Sequence, residues 1–213
     1  MKHERLRIGP LALPGELALV PDALGLVVFV HGSGSSRLSP RNRLVAELLN
    51  GHRLDTLLFD LLTEAEADDR RNVFDIALLS RRVGEALDAL RQRDDTRHLP
   101  LGLFGASTGA AAALCTAAAH PAEVAAVVSR GGRPDLAGEH VALVRAPTLL
   151  IVGGDDTEVL ALNRAALHHL ACSQRLEVVP GATHLFEEAG ALEQVAKLAV
   201  AWFAEHLRPP RSS

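Results

Sequence analysis

Leu101-Gly-Leu-Phe-Gly105-Ala-Ser107-Thr-Gly109 joins an apolar run to an alanine-rich segment through a Gly-x-Ser-x-Gly motif. The run predicts a buried strand at 101–104, and the small residues after it predict a helix at 108–119 that can lie close to a sheet. A serine on a tight strand-to-helix turn is forced outward at the carboxyl end of the sheet, where flanking glycines prevent collisions. Ser107 is therefore the candidate nucleophile. The alternative is a glycine-lined turn that only packs the helix on the sheet.

Short apolar runs alternate with longer amphipathic ones on both sides of this motif, a pattern typical of βα units in a mainly parallel sheet. Core strands are predicted at 26–30, 54–59, 101–104, 124–128, 148–152 and 176–179, with an extra edge pair at 5–8 and 16–20. Helices are predicted at 41–49, 73–91, 108–119, 158–170 and 192–207. Since the sequence has no repeat and no linker-like segment, we expect residues 1–213 to form a single α/β domain with helices on both faces of the sheet, and a loose tail at 208–213.

A base for the serine is expected on the loop after the last predicted strand. A serine hydroxyl attacks efficiently only when a base takes its proton, and that base needs a third group to hold its tautomer. His184, in Val179-Pro-Gly-Ala-Thr-His184, follows this strand on the sheet edge where Ser107 is expected. His184 is therefore the candidate base. The alternative is a loop histidine that only bonds to backbone.

Two aspartates follow the strand predicted at 148–152 and are candidates for the third group. The segment Gly153-Gly-Asp155-Asp156 puts both at the carboxyl end of that strand. Asp155 has capping-box spacing to Glu158, which favours a role in starting the next helix. Asp156 is therefore the predicted acid, and Asp155 remains the alternative.

A glycine-rich turn follows the first core strand in His31-Gly-Ser33-Gly-Ser-Ser36. Such a turn can aim a backbone N–H at a substrate carbonyl oxygen, so we predict an oxyanion hole from the N–H groups of Ser33 and Thr108. His31 is a further candidate substrate contact. A phosphate-binding loop is the alternative, but the turn lacks the Gly-Lys-Ser/Thr ending of a P-loop and the Gly-x-Gly-x-x-Gly spacing of a dinucleotide site.

Composition excludes several other classes of protein. The net charge of −4 and the 3% content of aromatic residues, with no tyrosine, argue against a nucleic-acid partner. The apolar runs are shorter than the roughly 20 residues that a bilayer requires. Cys115 and Cys172 are far apart and predict free thiols, and the adjacent His168 and His169 do not have the i,i+4 spacing of a zinc pair. We therefore expect a cytoplasmic protein without metal, cofactor or membrane partner.

The motifs together resemble those of the α/β-hydrolase superfamily, most of all its small dienelactone-hydrolase-like members. The resemblance covers roughly 26–203 and rests on His31-Gly-Ser-Gly34, Gly105-Ala-Ser-Thr-Gly109, Gly153-Gly-Asp-Asp156 and Gly181-Ala-Thr-His184. It implies an α/β-hydrolase fold, in which the chain order Ser, Asp, His is the expected one. Dienelactone hydrolase has a cysteine nucleophile where this sequence has Ser107, so its substrate does not carry over. The segment 129–146 is too short for the cap domain of many members, which implies an open, shallow site.

Four arginines follow predicted strand ends near the proposed site: Arg37, Arg41, Arg130 and Arg133. Guanidinium groups match carboxylates and phosphates bidentately, so some of them are candidates for binding an anionic group on the substrate. The alternative is that they pair with local acids such as Asp135 or lie in solvent.

These residues predict a serine hydrolase that cleaves an ester, lactone or thioester bond through an acyl-enzyme intermediate. An acyltransferase with the same triad is one alternative. An α/β-hydrolase-fold interaction domain without catalysis is the other. The expected partner is a small ester-like molecule, and the sequence leaves its identity and the oligomeric state open.

Overall fold

Eight strands form one sheet in the computed structural model, which describes residues 1–207. The strands are β1 (Lys2–Ile8), β2 (Leu13–Leu19), β3 (Gly25–Val30), β4 (Leu54–Phe59), β5 (Leu101–Ala106), β6 (Val124–Arg130), β7 (Thr148–Gly153) and β8 (Gln174–Val179). Their spatial order is β1-β2-β4-β3-β5-β6-β7-β8. The β1–β2 and β2–β4 pairs are antiparallel and the others are parallel. The mostly parallel sheet with an extra edge pair is confirmed, while the tail predicted at 208–213 lies outside the described residues.

Helices cover both faces of this sheet. They are α1 (Pro40–Gly51), α2 (Glu64–Ala67), α3 (Arg70–Val73), α4 (Ile76–Arg91), α5 (Thr108–Ala119), α6 (Thr157–Leu167) and α7 (Ala191–His206). On one face α4 packs against α5, and on the other α1 packs against α7. Neighbouring residues of β3 point to opposite faces: Val28 belongs to the apolar cluster with α4 and α5, and Val27 to the cluster with α1 and α7. Strands β3, β4, β5 and β7 are buried along their whole length, as their continuous apolar runs predict. The strand predicted at 176–179 corresponds to β8, which lies at the edge of the sheet and is partly exposed.

The order of the strands creates a crevice at the carboxyl ends of β3 and β5. These two strands are neighbours, but the chain leaves β3 towards β4 on one side and leaves β5 towards β6 on the other. In open α/β sheets, ligands bind at such a switch point because the connections run away from it in opposite directions. The turn after β3 and the serine after β5 both lie there.

The connection between β6 and β7 contains only a 3₁₀ segment, Pro134–Leu143, with a kink at Gly138. It holds no cap domain, as its length predicts. The two short helices α2 and α3 were missed, and the helix predicted at 73–91 begins at Ile76, where the Asp75 side chain accepts the Leu78 N–H. None of the helices within residues 1–207 is long and apolar enough to cross a membrane.

Candidate active site

Ser107 lies on a strained turn between β5 and α5. Its backbone has φ 52° and ψ −122°, a conformation that non-glycine residues rarely adopt and that functional sites retain when the surroundings enforce it. The surroundings here are tight: a Cβ on Gly105 would lie 2.5 Å from Ala110 Cα, and one on Gly109 would lie 2.2 Å from the Val30 carbonyl oxygen. The flanking glycines therefore allow the turn to close, as the motif predicts.

Hydrogen bonds connect Ser107, His184 and Asp156 in one chain. His184 Nε2 is 3.3 Å from Ser107 Oγ, and His184 Nδ1 is 2.7 Å from Asp156 Oδ2. His184 lies on the loop after β8, and its side chain is 38% exposed, whereas that of Asp156 is 14% exposed. With the carboxylate on Nδ1, the proton of neutral His184 lies on that nitrogen, which leaves Nε2 as the acceptor facing the serine.

The two aspartates after β7 have different surroundings from those expected. Asp156, not Asp155, is the N-cap residue of α6, and its side chain makes no capping bond because it bonds to His184. Asp155 is exposed, so the capping-box role predicted for it with Glu158 is wrong. The geometry supports Asp156 as the partner of His184. It does not support the argument that Asp155 is used as the helix cap.

The turn after β3 meets the start of α5 at the predicted oxyanion residues. The Ser33 N–H donates to Thr108 Oγ1 at 2.9 Å, so this donor already has an acceptor that a substrate oxygen must share or replace. Thr108 is the first residue of α5, where backbone N–H groups have no partner within the helix. A Cβ on Gly32 would lie 2.9 Å from the Ala106 carbonyl oxygen, which shows how closely the turn approaches the nucleophile.

His31 connects the turn after β3 to neighbouring backbone through both of its ring nitrogens. Its Nε2 accepts the Leu61 N–H at 3.1 Å, so the proton lies on Nδ1, which donates to the Gly32 carbonyl oxygen at 3.0 Å. Burial lowers the pKa of His31, which keeps the ring neutral. Both ring nitrogens therefore have partners, and His31 holds the turn against the loop after β4. It also lines the larger of the two cavities described below, so its contact with substrate stays a prediction.

Two of the four candidate arginines are neutralised by local acids. The Arg37 guanidinium forms an ion pair with Asp60, whose other oxygen accepts the Arg37 backbone N–H at 2.7 Å. Arg133 makes two bonds to Asp135, at 2.9 and 2.7 Å, which hold the pKa of that carboxyl below its usual value. These two pairs fit the alternative that the arginines bond to local acids. Arg37 also lines the larger of the two cavities described below, and substrate binding by Arg37 and Arg133 stays a prediction.

The other two arginines line the cavity of the nucleophile. Arg130 ends β6 and is only 7% exposed, and burial together with the nearby Arg41 lowers its pKa to about 10. Its Nη2 donates to Asn42 Oδ1 at 3.3 Å. Arg41, on α1, lies 3.3 Å from Glu187, a side chain that is 64% exposed.

Two cavities meet at the turn after β3. The smaller, of about 210 Å³, is lined by Gly32, Ser33, Ser35, Ser39, Arg41, Ala106, Ser107, Arg130, His184 and Leu185. The larger, of about 390 Å³, shares Gly32, Ser33 and Ser35 with it and extends under α2 and α3 to apolar side chains that include Leu61, Val73 and Leu79. The larger cavity does not touch Ser107. This cavity was not predicted, because helices of four residues are too short to show an amphipathic period.

Neither cysteine lies at these cavities. Cys115 is buried, its pKa is raised to about 11 by burial, and its thiol faces the Ala137 carbonyl oxygen. Cys172 lies 3.7 Å from Thr148 Oγ1. Within the described part of the chain, no group of three or more His, Cys, Asp or Glu side chains is arranged to hold a metal ion.

Comparison with known proteins shows the family. None of the known protein-family models matches the chain. A crystal structure of dienelactone hydrolase from Anabaena variabilis is 53% identical, covers 97% of this chain and 98% of its own, and superposes with a TM-score of 0.93. The chain belongs to the dienelactone hydrolase family of α/β-hydrolases. Est1E from Butyrivibrio proteoclasticus, at 16% identity over 97% of this chain and 99% of its own and with a TM-score of 0.81, shares the fold.

Two curated relatives from Mycobacterium tuberculosis strains carry a different name. Each is called "Putative phosphoribosyl transferase" and is 57% identical over 215 residues, which is 100% of this chain but 48% of the relative. The chain thus spans about half the length of the curated relatives it matches.

Proposed function

We propose that the protein is a serine hydrolase that cleaves ester, lactone or thioester bonds. One observation carries the proposal: the hydrogen-bonded chain from Ser107 Oγ through His184 to Asp156, with distances of 3.3 and 2.7 Å. Membership of the dienelactone hydrolase family supports it. The substrate is a small ester-like molecule.

In the proposed mechanism Ser107 attacks the carbonyl carbon while His184 Nε2 takes the hydroxyl proton. Asp156 holds the histidine in the required tautomer and stabilises the imidazolium that forms. The N–H groups of Thr108 and Ser33 stabilise the negative charge on the carbonyl oxygen. His184 then protonates the leaving group, and water releases the acyl group from Ser107. With another acceptor in place of water, the same residues would act as an acyltransferase.

The larger cavity is suited to an apolar portion of the substrate. It adjoins the site at Gly32 and Ser33, and Leu61, Val73 and Leu79 are among its lining residues. An acyl or alcohol group entering there would bury its surface without disturbing the hydrogen bonds of the nucleophile. Esters with longer apolar groups should therefore be hydrolysed with lower KM.

The name of the curated relatives concerns, in our proposal, the half of those proteins that this chain does not match. This chain, which corresponds to the matched half, has a serine, a histidine and an aspartate joined by hydrogen bonds at the switch point of its sheet. A phosphoribosyl transfer would not require an activated serine. Labelling of Ser107 by a serine-directed reagent therefore separates the two functions.

The test is intact-mass analysis after treatment with a fluorophosphonate, followed by a panel of p-nitrophenyl esters. We expect one adduct on the wild type, none on Ser107→Ala, and ester turnover by the wild type alone. If the folded wild type is not labelled and hydrolyses no ester, the protein is an interaction domain on this fold instead.

Asp156→Asn provides a second variant, with Asp155→Asn as its matched control one residue away. In the best-studied triad, the same change of the acid costs about 10⁴ in kcat because the histidine adopts the wrong tautomer. We expect a loss of that order for Asp156→Asn and almost none for Asp155→Asn. Equal activities of the two variants would contradict the role of Asp156.

A further inference from the structure

Asn163 is a fully buried polar side chain in the middle of α6. Its Nδ2 donates to the Gly132 carbonyl oxygen at 2.9 Å and to the Val159 carbonyl oxygen at 2.8 Å. Its Oδ1 is buried without a partner among residues 1–207. The two acceptors fix the orientation of the amide, because an amide oxygen in place of the nitrogen would face two carbonyl oxygens.

The bond to Gly132 is the contact that requires an amide at this position. Burying the amide costs free energy, since Oδ1 loses water without gaining a hydrogen bond. The helix itself does not need the side chain, because the Val159 carbonyl oxygen already accepts the backbone N–H of Asn163 within α6. Gly132 lies outside any helix or strand, so its bond to Asn163 joins the chain after β6 to α6.

Segment 130–133, which contains Gly132, holds the backbone of Ser107 on both sides. The Ser107 N–H donates to the Arg130 carbonyl oxygen at 3.1 Å, and the Arg133 N–H donates to the Ser107 carbonyl oxygen at 3.2 Å. A residue with φ 52° keeps that conformation only when its surroundings enforce it. The segment therefore helps to fix the direction in which the Ser107 hydroxyl points.

The same segment also packs against the histidine and against α5. A Cβ on Gly131 would lie 3.5 Å from His184 Nδ1, and one on Gly132 would lie 2.6 Å from Ala110 Cβ. A shift of segment 130–133 would therefore change the position of Ser107 relative to His184.

Helix α6 is connected to the third member of the triad as well. Its N-cap residue is Asp156, which lies 2.7 Å from His184 Nδ1, and Asn163 follows about two helical turns later. One helix is thus connected to His184 through Asp156 and to Ser107 through Gly132.

We propose that Asn163 is a positioning residue for the reaction of Ser107. It lines neither of the two cavities at the turn after β3, and it acts by holding Gly132, which keeps the Ser107 hydroxyl aligned with His184 Nε2. The inference rests on the proposed function, because this alignment matters only if Ser107 is the nucleophile. A displacement of about 1 Å caused outside the reacting groups can cost about 100-fold in rate. The effect is therefore on kcat and not on KM.

The test is Asn163→Leu, which nearly keeps the size of the side chain but has no donor for Gly132. We expect kcat for p-nitrophenyl butyrate to fall about 10- to 100-fold, with KM changed by less than about twofold. Fluorophosphonate should label Ser107 more slowly by a similar factor, but still to one adduct on every chain. Complete labelling at a lower rate distinguishes misalignment from a loss of folded protein, which would lower the labelled fraction instead.

Asn50→Leu is the matched control. Asn50 is on α1, and its Nδ2 also donates to a backbone carbonyl oxygen, that of Leu54, at 2.9 Å. This variant loses a comparable hydrogen bond far from segment 130–133 in sequence, and urea titration measures how much stability each variant loses. We expect Asn50→Leu to keep the wild-type kcat and labelling rate.

Asn163→Ser is a second variant in case Asn163→Leu does not fold. A serine hydroxyl in a helix can donate to the carbonyl oxygen four residues earlier, here that of Val159, but it is one bond shorter towards Gly132. It should therefore show the same fall in kcat with little change in KM.

Three results would overturn the positioning role while leaving the proposed function intact. They are a wild-type kcat and labelling rate in the Asn163 variants, a rise in KM alone, and a fall in kcat for Asn50→Leu as large as that for Asn163→Leu. If neither Asn163 variant folds, the residue is structural and the positioning role is also refuted. A wild type that is neither labelled nor active on esters would refute the proposed function itself.

Discussion

Ser33 and Thr108 are joined by a hydrogen bond that the sequence did not predict. Sequence reasoning assigned their backbone N–H groups to the oxyanion hole, but the Thr108 side chain also takes part, since its Oγ1 accepts the Ser33 N–H at 2.9 Å. This bond ties the turn after β3 to the start of α5. It therefore keeps the Ser33 N–H beside the nucleophile while no substrate is bound.

Thr108→Val should lower kcat by about tenfold, less than the 10²–10³ that deletion of an oxyanion donor costs. Valine has nearly the same shape but offers no acceptor, so the Ser33 N–H loses its partner and the turn becomes less ordered. Thr108→Ser keeps the hydroxyl and is the matched control. Steady-state kinetics on p-nitrophenyl butyrate check the prediction, with KM expected to change little. If valine and serine variants have equal kcat, the hydroxyl has no positioning role.

At the scale of elements, the contact of α5 with β3 determines where the nucleophile lies. Gly109→Ala would place a Cβ 2.2 Å from the Val30 carbonyl oxygen and 2.4 Å from that of His31, so the helix or the strand must move. We expect the free energy of unfolding to fall by about 1–3 kcal/mol, as for other overpacked sites. Fluorophosphonate labelling of Ser107 should also slow, because Ser107 moves with the start of α5.

Gly51→Ala is the control for this helix substitution. Gly51 is the last residue of α1, and a Cβ there meets no atom within 4 Å. Urea titration should give a stability equal to or above that of the wild type, with unchanged labelling. If Gly109→Ala has the same free energy of unfolding and the same labelling rate as Gly51→Ala, α5 does not pack closely against the end of β3.

The strands and helices that were predicted accurately are those with a clear pattern of apolar or small residues in their own sequence. The strands at 54–59 and 124–128 and the helix at 108–119 follow from apolar runs and small residues, and the structure has them within about two residues. Helices α2 and α3 have no such signal: they begin at side-chain caps, Thr63 with Glu66 in one case and Asp69 in the other, and bury none of their residues.

It was easier to predict which residues lie at the site than which side chains bond to each other there. Motif spacing brought Ser107, Asp156 and His184 to one sheet edge, because carboxyl ends of parallel strands share an edge. Whether an arginine is neutralised depends on residues that are distant in sequence. Arg37 meets Asp60 across the turn, while Arg130 meets Asn42, a neutral side chain, and only the fold reveals that difference.

For the molecule as a whole, Asp55 makes stability depend on pH. This carboxyl lies on β4, is 2% exposed, and accepts the Val20 N–H at 2.7 Å. Burial raises its pKa from 3.8 to about 6; the Val20 N–H and His98 oppose the rise, and Asp95 adds to it. A buried carboxylate therefore costs free energy at neutral pH that the protonated acid does not.

The direction of the pH effect follows from the protons bound in each state. Between about pH 4 and 6 the folded protein keeps the Asp55 proton and the unfolded chain, with its ordinary pKa, has lost it. The free energy of unfolding therefore falls as pH rises through this range, by up to ~3 kcal/mol for a shift of about two pKa units. Asp55→Asn keeps an acceptor for Val20 but cannot ionise. We expect it to match the wild type near pH 4 and to exceed it above pH 7, measured by urea titration. Asp88→Asn, at an exposed position on α4, should instead follow the wild-type curve. If Asp55→Asn also follows that curve at every pH, Asp55 ionises in the folded protein without the cost that its burial implies.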